Sequence, residues 1–378
     1  MKQKLLLVDG SSLAFRAFFS ILDLNRFKNQ NGLHTNALYS FHRMFKTILE
    51  QENPTHVLVA WDAGKTTFRT EMYSEYKGGR AKTPSEFKEQ MPYFNVLLDA
   101  WGIPHYRLNQ YEADDIIGTL AHQASKEGFE VVVLSGDKDL IQLATPDITV
   151  KITTKGVSEL VEYTPAFINE KYGLTPEQII DMKGLMGDSS DNYPGVTKVG
   201  EKTAIKLLQE YGSVEGIYEH VEEMKKSKLK ENLIQDKELA FLSKTLARID
   251  INSPLEITVA DTLRKEENVE ELIAFYKEMN FQSFQKDLLN QKGGESGLIE
   301  EILERPNVQW IETITEKELQ DTTTIHFETF DNNYHVAPVL AVAFGNEKQV
   351  YGTSIDSAIQ SEAFKQWLAD ETIEKSMF

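Results

Sequence analysis

The fold is decided by Val131-Val-Val-Leu-Ser-Gly-Asp137-Lys-Asp139, an apolar run that leads into two aspartates. Two earlier apolar runs end in the same way, Leu5-Leu-Leu-Val-Asp9 and Val57-Leu-Val-Ala-Trp-Asp62. Runs that are apolar at every position and separated by helical patterns predict buried parallel strands. Because an open α/β sheet binds its ligands beyond the carboxyl ends of the strands, the three runs predict four carboxylates at one sheet edge.

Composition limits the class of protein. The 378 residues are enough for two to three domains, and 41% hydrophobic with 26% charged residues is typical of a globular chain. The sequence has no cysteine, which excludes disulfides, thiolate zinc sites and cysteine nucleophiles. The apolar run near Met1 is too short for a signal peptide, and no apolar stretch reaches the roughly 18 residues of a membrane span. We therefore expect a soluble, cytoplasmic protein with no membrane partner.

Net charge gives a conflicting first indication of the partner. The chain has 40 Lys and Arg residues against 59 Asp and Glu residues, a formal charge of −19. Such acidity argues against a nucleic-acid partner, because binding phosphates requires positive charge. However, residues 295–378 alone hold 16 acids against five bases. The distribution of charge along the chain is therefore more informative than its sum.

The sequence divides into four segments. Residues 1–174 combine the apolar runs with helical patterns such as Ala37–Glu50 and Phe87–Trp101, and predict an α/β core. The strand pattern stops near residue 175, so we predict a helical region over 175–290, followed by a Gly-rich linker over 291–299. Residues 300–378 return to strand-like alternation and predict the truncated beginning of a further domain. The chain thus reads as part of a longer protein.

Acidic residues gather at the ends of the predicted elements. Any one of them alone is more often a turn residue or the complement of a helix dipole. An Asp-x-Asp and a Glu-x-Asp-Asp together with further strand-end acids are improbable by coincidence. Converging carboxylates need counter-charge, and oxygen-only ligation suits two Mg²⁺ or Mn²⁺ ions that promote phosphodiester displacement. The predicted metal ligands are Asp9, Asp62, Glu112, Asp114, Asp115, Asp137, Asp139, Asp188 and Asp191.

Cations alternate with aromatic residues over residues 65–90, the segment that follows Asp62. This pattern suits a nucleic-acid backbone with stacked bases, although a solvated helix face anchored by tyrosines would look the same. We predict an arch over the site, with Lys77 and Arg80 on one helical face because they are three residues apart. Arg69 and Tyr76 are the predicted DNA-binding residues of this segment.

A third pattern lies at Gly187–Ala204, where Gly195 and Gly200 bracket a predicted tight turn before a helix that begins at Glu201. Backbone amides at such a helix start can hold a phosphate. A P-loop is excluded because Glu201 interrupts the required Gly-Lys-[Ser/Thr] sequence, and the acid spacing does not match an EF-hand. The predicted phosphate-binding residues are Gly195, Lys198, Gly200, Lys202, Thr203 and Lys206.

At these motifs the sequence resembles the flap endonuclease family, in the form of the 5′ nuclease domain of type I bacterial DNA polymerases. The resemblance covers residues 1 to about 290 and implies a PIN-like α/β core, with a mostly parallel sheet, and a helix-hairpin-helix region. It also implies that the nine acids bind metal and that Lys77 and Arg80 contact the scissile phosphate. The matching motifs are Val8-Asp-Gly10, Trp61-Asp-Ala63, Phe68-Arg69, Tyr76-Lys-Gly-Gly-Arg80, Tyr111-Glu-Ala-Asp-Asp115, Gly136-Asp-Lys-Asp-Leu140 and Gly187-Asp-x-x-Asp-Asn-x-Pro-Gly195.

The activity implied by this resemblance is that of a structure-specific 5′ nuclease, acting as a 5′-3′ exonuclease and a flap endonuclease. The implied substrates are DNA 5′ flaps, nicked or gapped duplexes and RNA primer–DNA junctions, and the implied roles are primer removal and repair. The resemblance also implies a K⁺ ion at the hairpin turn, a monomeric state and a location at the bacterial nucleoid.

Residues 300–378 resemble the start of the proofreading exonuclease domain of the same polymerases, which has an RNase H-like fold. That family carries Asp-x-Glu on its first strand, whereas Ile325-His-Phe-Glu328 places His326 at the expected aspartate. One missing acid removes a ligand from a two-metal site. We therefore expect a vestigial domain that does not proofread.

Two other functions stay open from the residues. A non-catalytic, structure-specific DNA-binding module is disfavoured because all nine acids are present. A PIN-like ribonuclease is disfavoured because Asp188 and Asp191 adjoin the predicted hairpin region, whose use is to grip duplexes. Residues 1–294 hold 35 bases against 34 acids once the nine predicted ligands are set aside, so a DNA partner is compatible with the charge.

Overall fold

The computed structural model describes residues 3–21, 23–64, 66–80, 82–155, 159–292, 308–329, 338–346, 349–373 and 375–377. The chain forms two compact units, unit 1 (Met1–Leu288) and unit 2 (Leu289–Phe378). The linker predicted over 291–299 begins inside a helix that runs to Lys292, and the rest of it lies outside the described residues. Each unit is described separately below.

Unit 1 is built on a six-stranded sheet in the order β3-β2-β1-β4-β5-β6. All neighbouring pairs are parallel except β5 and β6, which are antiparallel. The predicted mostly parallel sheet is therefore confirmed, with the three apolar runs as its adjacent central strands. The strands are β1 (Lys4–Asp9), β2 (His56–Trp61), β3 (His105–Arg107), β4 (Glu130–Ser135), β5 (Ile148–Lys155) and β6 (Glu159–Tyr163).

The central strands are apolar at every position because both faces of the sheet are covered. In β1, Leu5 and Leu7 join a core cluster with the helix that begins at Ala113, while Leu6 and Val8 point to the other face. All four side chains are fully buried. Burying an aliphatic side chain of this size contributes about 1.5–3 kcal/mol, so this strand is a major source of stability.

Six α-helices accompany these strands among the described residues before β6. The pattern predicted as a single helix over Phe87–Trp101 is divided into two, and the fully buried Gln90 lies between them. The Gln90 Oε1 atom accepts hydrogen bonds from Ala37 N at 2.9 Å and Leu38 N at 3.3 Å, which caps the start of another helix. The helices are α1 (Gly10–Ser20), α2 (Asn36–Glu52), α3 (Phe68–Met72), α4 (Ser85–Lys88), α5 (Met91–Ala100) and α6 (Ala113–Lys126).

After β6 the described residues of unit 1 form helices and loops with no strand, as the sequence predicts. None of the described helices of the chain is long and apolar enough to cross a membrane. The helices are α7 (Pro165–Tyr172), α8 (Gln178–Met186), α9 (Glu201–Tyr211), α10 (Val214–His220), α11 (Lys228–Gln235), α12 (Lys237–Ala247), α13 (Val269–Glu278) and α14 (Gln282–Lys292).

Helices α8 and α9 are joined by a tight hairpin whose shape requires two glycines. Gly187 and Gly195 have φ values of 67° and 59°, in the left-handed region that favours glycine. The two residues also lie back to back, because a Cβ atom on Gly195 would be 2.2 Å from the Gly187 nitrogen. Helix α9 then begins directly after Gly200, at the predicted Glu201.

Unit 2 contains a five-stranded sheet in the order β11-β8-β9-β10-β7 among the described residues. Its core packs Phe344 and Phe364 with Trp367 and the aliphatic residues Ile325 and Val342. The strands are β7 (Val308–Trp310), β8 (Thr324–Thr329), β9 (Val339–Gly345), β10 (Val350–Ser354) and β11 (Ser376–Met377). The helices are α15 (Glu316–Leu319), α16 (Ile355–Gln360) and α17 (Glu362–Ala369).

Candidate functional site

The predicted acids lie at the carboxyl edge of the first sheet, where the chain changes direction. From β1 the chain proceeds to β2 and β3 on one side, and then returns to β4 on the other side of β1. Asp9 ends β1, Asp62 follows β2, and Asp137 follows β4 by two residues. Such a switch point opens a crevice beyond the strands, which is the usual ligand site of an open α/β sheet.

Short-range hydrogen bonds fix the acids in this crevice. Asp9 accepts from the Ser12 amide at 2.9 Å and from the Ser135 hydroxyl at 2.7 Å. The same Ser135 hydroxyl accepts from the Asp137 amide at 3.0 Å. Asp62 accepts from the Ala113 amide at 3.0 Å, at the start of α6. The hydroxyl of Ser135, the last residue of β4, therefore connects acids at the ends of two different strands.

The acids of this edge repel one another. Burial and the charge of Asp62 raise the pKa of Asp9 to about 7. Burial and the charge of Asp137 raise the pKa of Asp139 to about 7. Burial and the charges of Asp9 and Asp137 also raise the pKa of Asp114 well above its ordinary value. The chain thus holds more negative charge here than its own cations offset.

Lys183, on α8, lies between two of the acids. Its Nζ atom is 2.5 Å from an oxygen of Asp139 and 2.5 Å from an oxygen of Asp188. Burial would lower the pKa of Lys183, but the two carboxylates raise it above its ordinary value. Although burial opposes the shift, hydrogen bonds from Lys183 and Ser190 lower the pKa of Asp188 to about 2. Sequence reasoning missed Lys183; its signal is a lysine in a mostly apolar helix, α8, whose one other charged residue is Asp181.

The two predicted catalytic cations also contact predicted metal ligands. The Lys77 Nζ atom is 2.7 Å from Glu112 Oε1, and Arg80 forms a short ion pair with Asp191. The prediction that Lys77 and Arg80 share a helical face is wrong, because residues 74–79 form turns and Lys77 has a φ of 56°. The Lys77 amide instead donates to the Asp191 carbonyl at 2.8 Å, which docks this segment on the hairpin loop.

Asp115 differs from the other acids. Arg69 binds it through two hydrogen bonds of 2.7 Å, and both side chains are buried. The Asp250 amide donates to Oδ1 at 2.9 Å and the Glu112 amide to Oδ2 at 3.1 Å, so each oxygen already accepts two hydrogen bonds. The geometry thus does not fit Asp115 as a direct metal ligand, because its lone pairs are used within the protein.

The carboxylate oxygens of this edge suit hard divalent cations, although the described side chains are not positioned around a single metal site. Among the residues that the structure describes, no three acidic or histidine side chains are grouped closely enough to hold a metal ion as they stand. Glu112, Asp139, Asp188 and Asp191 each form an ion pair with a cation of the chain. The remaining negative charge, shown by the raised pKa values of Asp9 and Asp114, fits added Mg²⁺ or Mn²⁺ on oxygen ligands.

The predicted DNA-binding residues fall into two groups. Lys198, Lys202 and Lys206 are exposed along the hairpin turn and the start of α9, with Gly200 exposed and Thr203 half-buried beside them. Arg69 and Tyr76 are 2% and 5% exposed, so direct DNA contact by these two side chains does not fit the structure. Gly195 is also buried, and its amide donates to the Ser243 hydroxyl at 2.9 Å.

An aromatic cleft beside the acids was not predicted. Helix α1 exposes Phe15 and Phe19, whose rings are 4.9 Å apart, in an open cleft of about 460 Å³. Arg16, Ser12 and Gly136 also line it, and Ser12 is the residue whose amide binds Asp9. The signal in the sequence is Phe15 and Phe19 at a spacing of four, which places them on one face of α1.

Sequence comparisons assign most of the chain to known families. Residues 4–173 match the 5′-3′ exonuclease N-terminal resolvase-like domain, and residues 174–292 match the 5′-3′ exonuclease C-terminal SAM fold. Residues 325–378 match the ribonuclease H-like domain of DNA polymerase I. DNA polymerase I of Streptococcus pneumoniae strain R6 is 52% identical over 97% of this chain, and that of Bacillus caldotenax is 49% identical over all of it. The chain spans 41% and 42% of the lengths of these two relatives.

Solved structures agree with this assignment. T5 5′-exonuclease with bound zinc is 25% identical, with a TM-score of 0.55 over 76% of this chain and 99% of that chain. The catalytic core of Rad2 in complex with DNA substrate is 14% identical, with a TM-score of 0.51 over 77% of this chain and 92% of that one, and supports the fold alone. The predicted fold class is confirmed by these comparisons. The chain belongs to the 5′-3′ exonuclease family, in the form found in bacterial DNA polymerase I.

Proposed function

We propose that unit 1 hydrolyses DNA phosphodiesters near 5′ ends, as a 5′-3′ exonuclease and flap endonuclease that requires two divalent cations. The observation that carries the proposal is the crowding of buried acids at the switch point, which raises the pKa values of Asp9 and Asp139 to about 7. When bound, the cations supply Lewis acidity, activating the attacking water and stabilising the leaving oxygen. T5 5′-exonuclease, a relative in fold and sequence, is described with divalent metal ions.

The ligands divide into two groups by their electrostatic partners. The charges of Asp62 and Asp137 act on Asp9, and those of Asp9, Asp137 and Glu112 act on Asp114, so these residues would hold one cation together. Asp139 and Asp188 share Lys183, and with Asp191 they would hold the other. Asp115 instead keeps the start of α6 in place through Arg69.

Lys77 and Arg80, which pair with acids of the site in this structure, would contact the substrate once it is bound. Lys77 and Arg80 are held at Glu112 and Asp191 by single carboxylate contacts. Divalent cations at these acids would free both side chains to contact the equatorial oxygens of the scissile phosphate. Because the turns at residues 74–79 dock on the hairpin loop, the two side chains stay within reach of the acid edge.

The hairpin turn would grip the duplex. Lys198, Lys202 and Lys206 present exposed charge beside the amides at the start of α9, and such contacts bind phosphates without reading bases. Phe15 and Phe19 in the aromatic cleft would stack on a base near the cleaved bond. Specificity would then depend on DNA structure, with 5′ flaps, nicked or gapped duplexes and primer junctions as substrates.

This chemistry and the relatives support a proposal for the cellular role. We propose primer removal and repair at the bacterial nucleoid, by a monomer within a longer DNA polymerase, with Mg²⁺ or Mn²⁺ as the cation and K⁺ at the hairpin turn. A non-catalytic DNA-binding module is the other candidate, since exposed lysines alone would serve it. The crowded acids favour the nuclease, because a binding module has no use for them.

The decisive experiment is cleavage of a 5′-labelled flap duplex in Mg²⁺, in EDTA, and in Mg²⁺ by the Asp137→Ala variant. We expect products only from the wild type in Mg²⁺. Equal cleavage under all three conditions, or none by the wild type in Mg²⁺, would overturn the two-cation proposal.

We propose that unit 2 does not proofread. His326 and Glu328 are exposed on β8, with Nε2 of the histidine 3.3 Å from the carboxylate. A histidine beside the remaining acid supplies a nitrogen where the proofreading family uses oxygen, and hard cations prefer oxygen. Exonuclease activity of the longer protein on mismatched 3′ ends would contradict this proposal.

A further inference from the structure

Helix α12 lies against the hairpin turn along its length. The Ser243 hydroxyl accepts from the Gly195 amide at 2.9 Å, in the buried part of the turn. At the start of the helix, Asp236 accepts from the Thr197 amide at 2.8 Å. Asn232, on the preceding helix, donates to the Thr197 carbonyl at 2.8 Å. The position of the turn is therefore fixed relative to α12 by directed hydrogen bonds rather than by apolar contact alone.

The end of α12 continues into residues 246–250, which we call the connector. Its backbone groups bind side chains of the α/β core. Arg69 donates to the Leu246 carbonyl at 3.0 Å and to the Arg248 carbonyl at 2.8 Å. The Asp250 amide donates to Asp115 at 2.9 Å. Buried ion pairs with this geometry hold neighbouring segments in one arrangement, since each partner left alone would be an unpaired buried charge.

The connector also reaches the second group of acids through Gln142. The Gln142 Nε2 atom donates to the Ala247 carbonyl at 3.0 Å and to the Asp139 carbonyl at 2.9 Å. Its Oε1 atom accepts from the Ile249 amide at 3.0 Å. One amide side chain thus joins the connector to the backbone of a proposed metal ligand.

The connector therefore lies between the two sites of the proposed function. On one side α12 holds the turn that would bind duplex phosphates. On the other side Gln142 holds Asp139, and the Arg69–Asp115 pair holds the start of α6 that carries Glu112 and Asp114. A shift of α12 that follows the turn would displace the backbone of both acid groups, because hydrogen bonds tolerate little change in length or angle.

We propose that Gln142 and Ser243 are positioning residues that couple duplex binding at the hairpin turn to cation binding at the acids. The inference rests on the proposed function, since it presumes that the turn binds duplex and the acids bind cations. Duplex binding would then raise the affinity for cations, and by thermodynamic linkage cations would raise the affinity for duplex by the same factor.

The test uses the 378-residue chain, Mn²⁺ as the cation, and a closed dumbbell duplex that has no 5′ end. The dumbbell can occupy the hairpin turn, but it cannot place a terminal phosphate among the acids. Mn²⁺ affinity is measured by electron paramagnetic resonance with and without dumbbell, and dumbbell affinity is measured with and without Mn²⁺. We expect the wild type to show the same ratio in both directions, about fivefold or more.

The Gln142→Ala and Ser243→Ala variants should lower this ratio toward one in both directions. Matched controls delete the same chemical groups elsewhere in the helical region. Gln209→Ala removes a hydrogen bond to the Tyr172 carbonyl, and Ser213→Ala removes the cap of α10; both should keep the wild-type ratio. Gln142→Met keeps the side-chain volume without the hydrogen bonds, and serves if the alanine variant does not fold.

The outcomes separate the two proposals. Wild-type protein that binds neither dumbbell nor Mn²⁺ would overturn the proposed function and this inference with it. If the wild-type protein binds both ligands but neither changes the affinity for the other, the inference alone is overturned. The same holds if the affinity ratio is unchanged in the Gln142 and Ser243 variants. Loss of the ratio in the control variants as well would also overturn it, because any perturbation of the helical region would then suffice.

Discussion

The carboxyl edge of the first sheet and the strand β8 of the second sheet both carry acids, yet they differ in surroundings. Asp9 is 5% exposed and accepts two hydrogen bonds within the protein, while burial raises its pKa to about 7. Glu328 on β8 has a side chain that is 66% exposed, beside His326 at 48%. The protein buries Asp9 where its ionised form is disfavoured, whereas water solvates the carboxylate of Glu328.

This difference indicates which acids have a function. Keeping a carboxylate buried among like charges lowers stability, so a ligand that offsets the charge explains the arrangement. A solvated acid needs no such explanation. The comparison therefore predicts that the first edge depends on added cations and that β8 does not, and each of the following experiments tests one part of it.

The largest effect is expected from Asp9→Asn. Removing one ligand charge should slow cleavage of a 5′ flap duplex on the order of 10³-fold, measured at saturating enzyme in Mg²⁺. The same variant without metal should unfold at a higher temperature than wild type at pH 8, because one repelling charge is gone. The matched control is Glu328→Gln in unit 2, which should change neither quantity. An active or a destabilised Asp9→Asn protein would remove the distinction between the two regions.

Lys77→Ala tests whether the ammonium group of Lys77, at the carboxyl edge of the first sheet, acts on the substrate. Single-turnover cleavage should slow by about 10²-fold, because the side chain offsets charge that develops on the phosphate. Affinity for the flap duplex should stay within about twofold. Lys82→Ala, which removes an exposed lysine of the same segment, is the control. A loss of affinity as large as the loss of rate would make Lys77 a phosphate anchor only.

Without metal, the stability of the folded protein should fall as pH rises, because the pKa values of buried carboxylates are raised. Asp9 and Asp139 have a pKa of about 7 in the folded protein, against 3.8 ordinarily. Between these values the folded state binds more protons than the unfolded state, so stability falls as pH rises from about 4 to 7. Thermal unfolding in EDTA should show this fall, which Asp9→Asn reduces and Mg²⁺ offsets. A metal-free protein whose stability rises with pH across this window would contradict the assigned repulsion.

The smallest effect is expected from His326→Asp. Placing an acid at this position of β8 should give no 3′-5′ exonuclease activity on a mismatched primer, assayed in the longer protein proposed above. The reason is that an exposed strand position supplies one ligand without the buried, mutually repelling set seen at the first edge. Measurable proofreading by this variant would show that unit 2 lacks only that ligand.

Sequence predicted the positions of the acids because strand periodicity and strand ends are local features. The four residues before Asp9 are all apolar, and this alone predicts a strand that is buried on both faces. The partners of the cations were not predictable in this way. Arg69 looks like a DNA ligand beside aromatic residues, but a carboxylate 46 residues away and carbonyls about 180 residues away bury it. Lys183 was missed because its partner Asp139 belongs to a different part of the chain, although its other partner, Asp188, is close in sequence.

The division of the helix at Gln90 illustrates the limit on element boundaries. The apolar stripe from Phe87 to Trp101 continues without a break in the sequence. The interruption arises because the Gln90 side chain also caps α2, more than 50 residues earlier. The apolar pattern of this segment gives no information about the Ala37 and Leu38 amides, so a tertiary contact that the pattern does not show determines where the helix is interrupted.

The long sequence separations within the acid edge have a consequence for folding kinetics. Ser135 reaches Asp9 across 126 residues, and Arg80 reaches Asp191 across 111. Contacts between residues so far apart form late, because the chain entropy of closing such loops is lost before the contacts can stabilise them. During synthesis, β1 leaves the ribosome well before Asp191 is made. We therefore expect the acid edge to be among the last parts of unit 1 to assemble, so that a nascent chain would acquire the proposed activity only after most of unit 1 has been made.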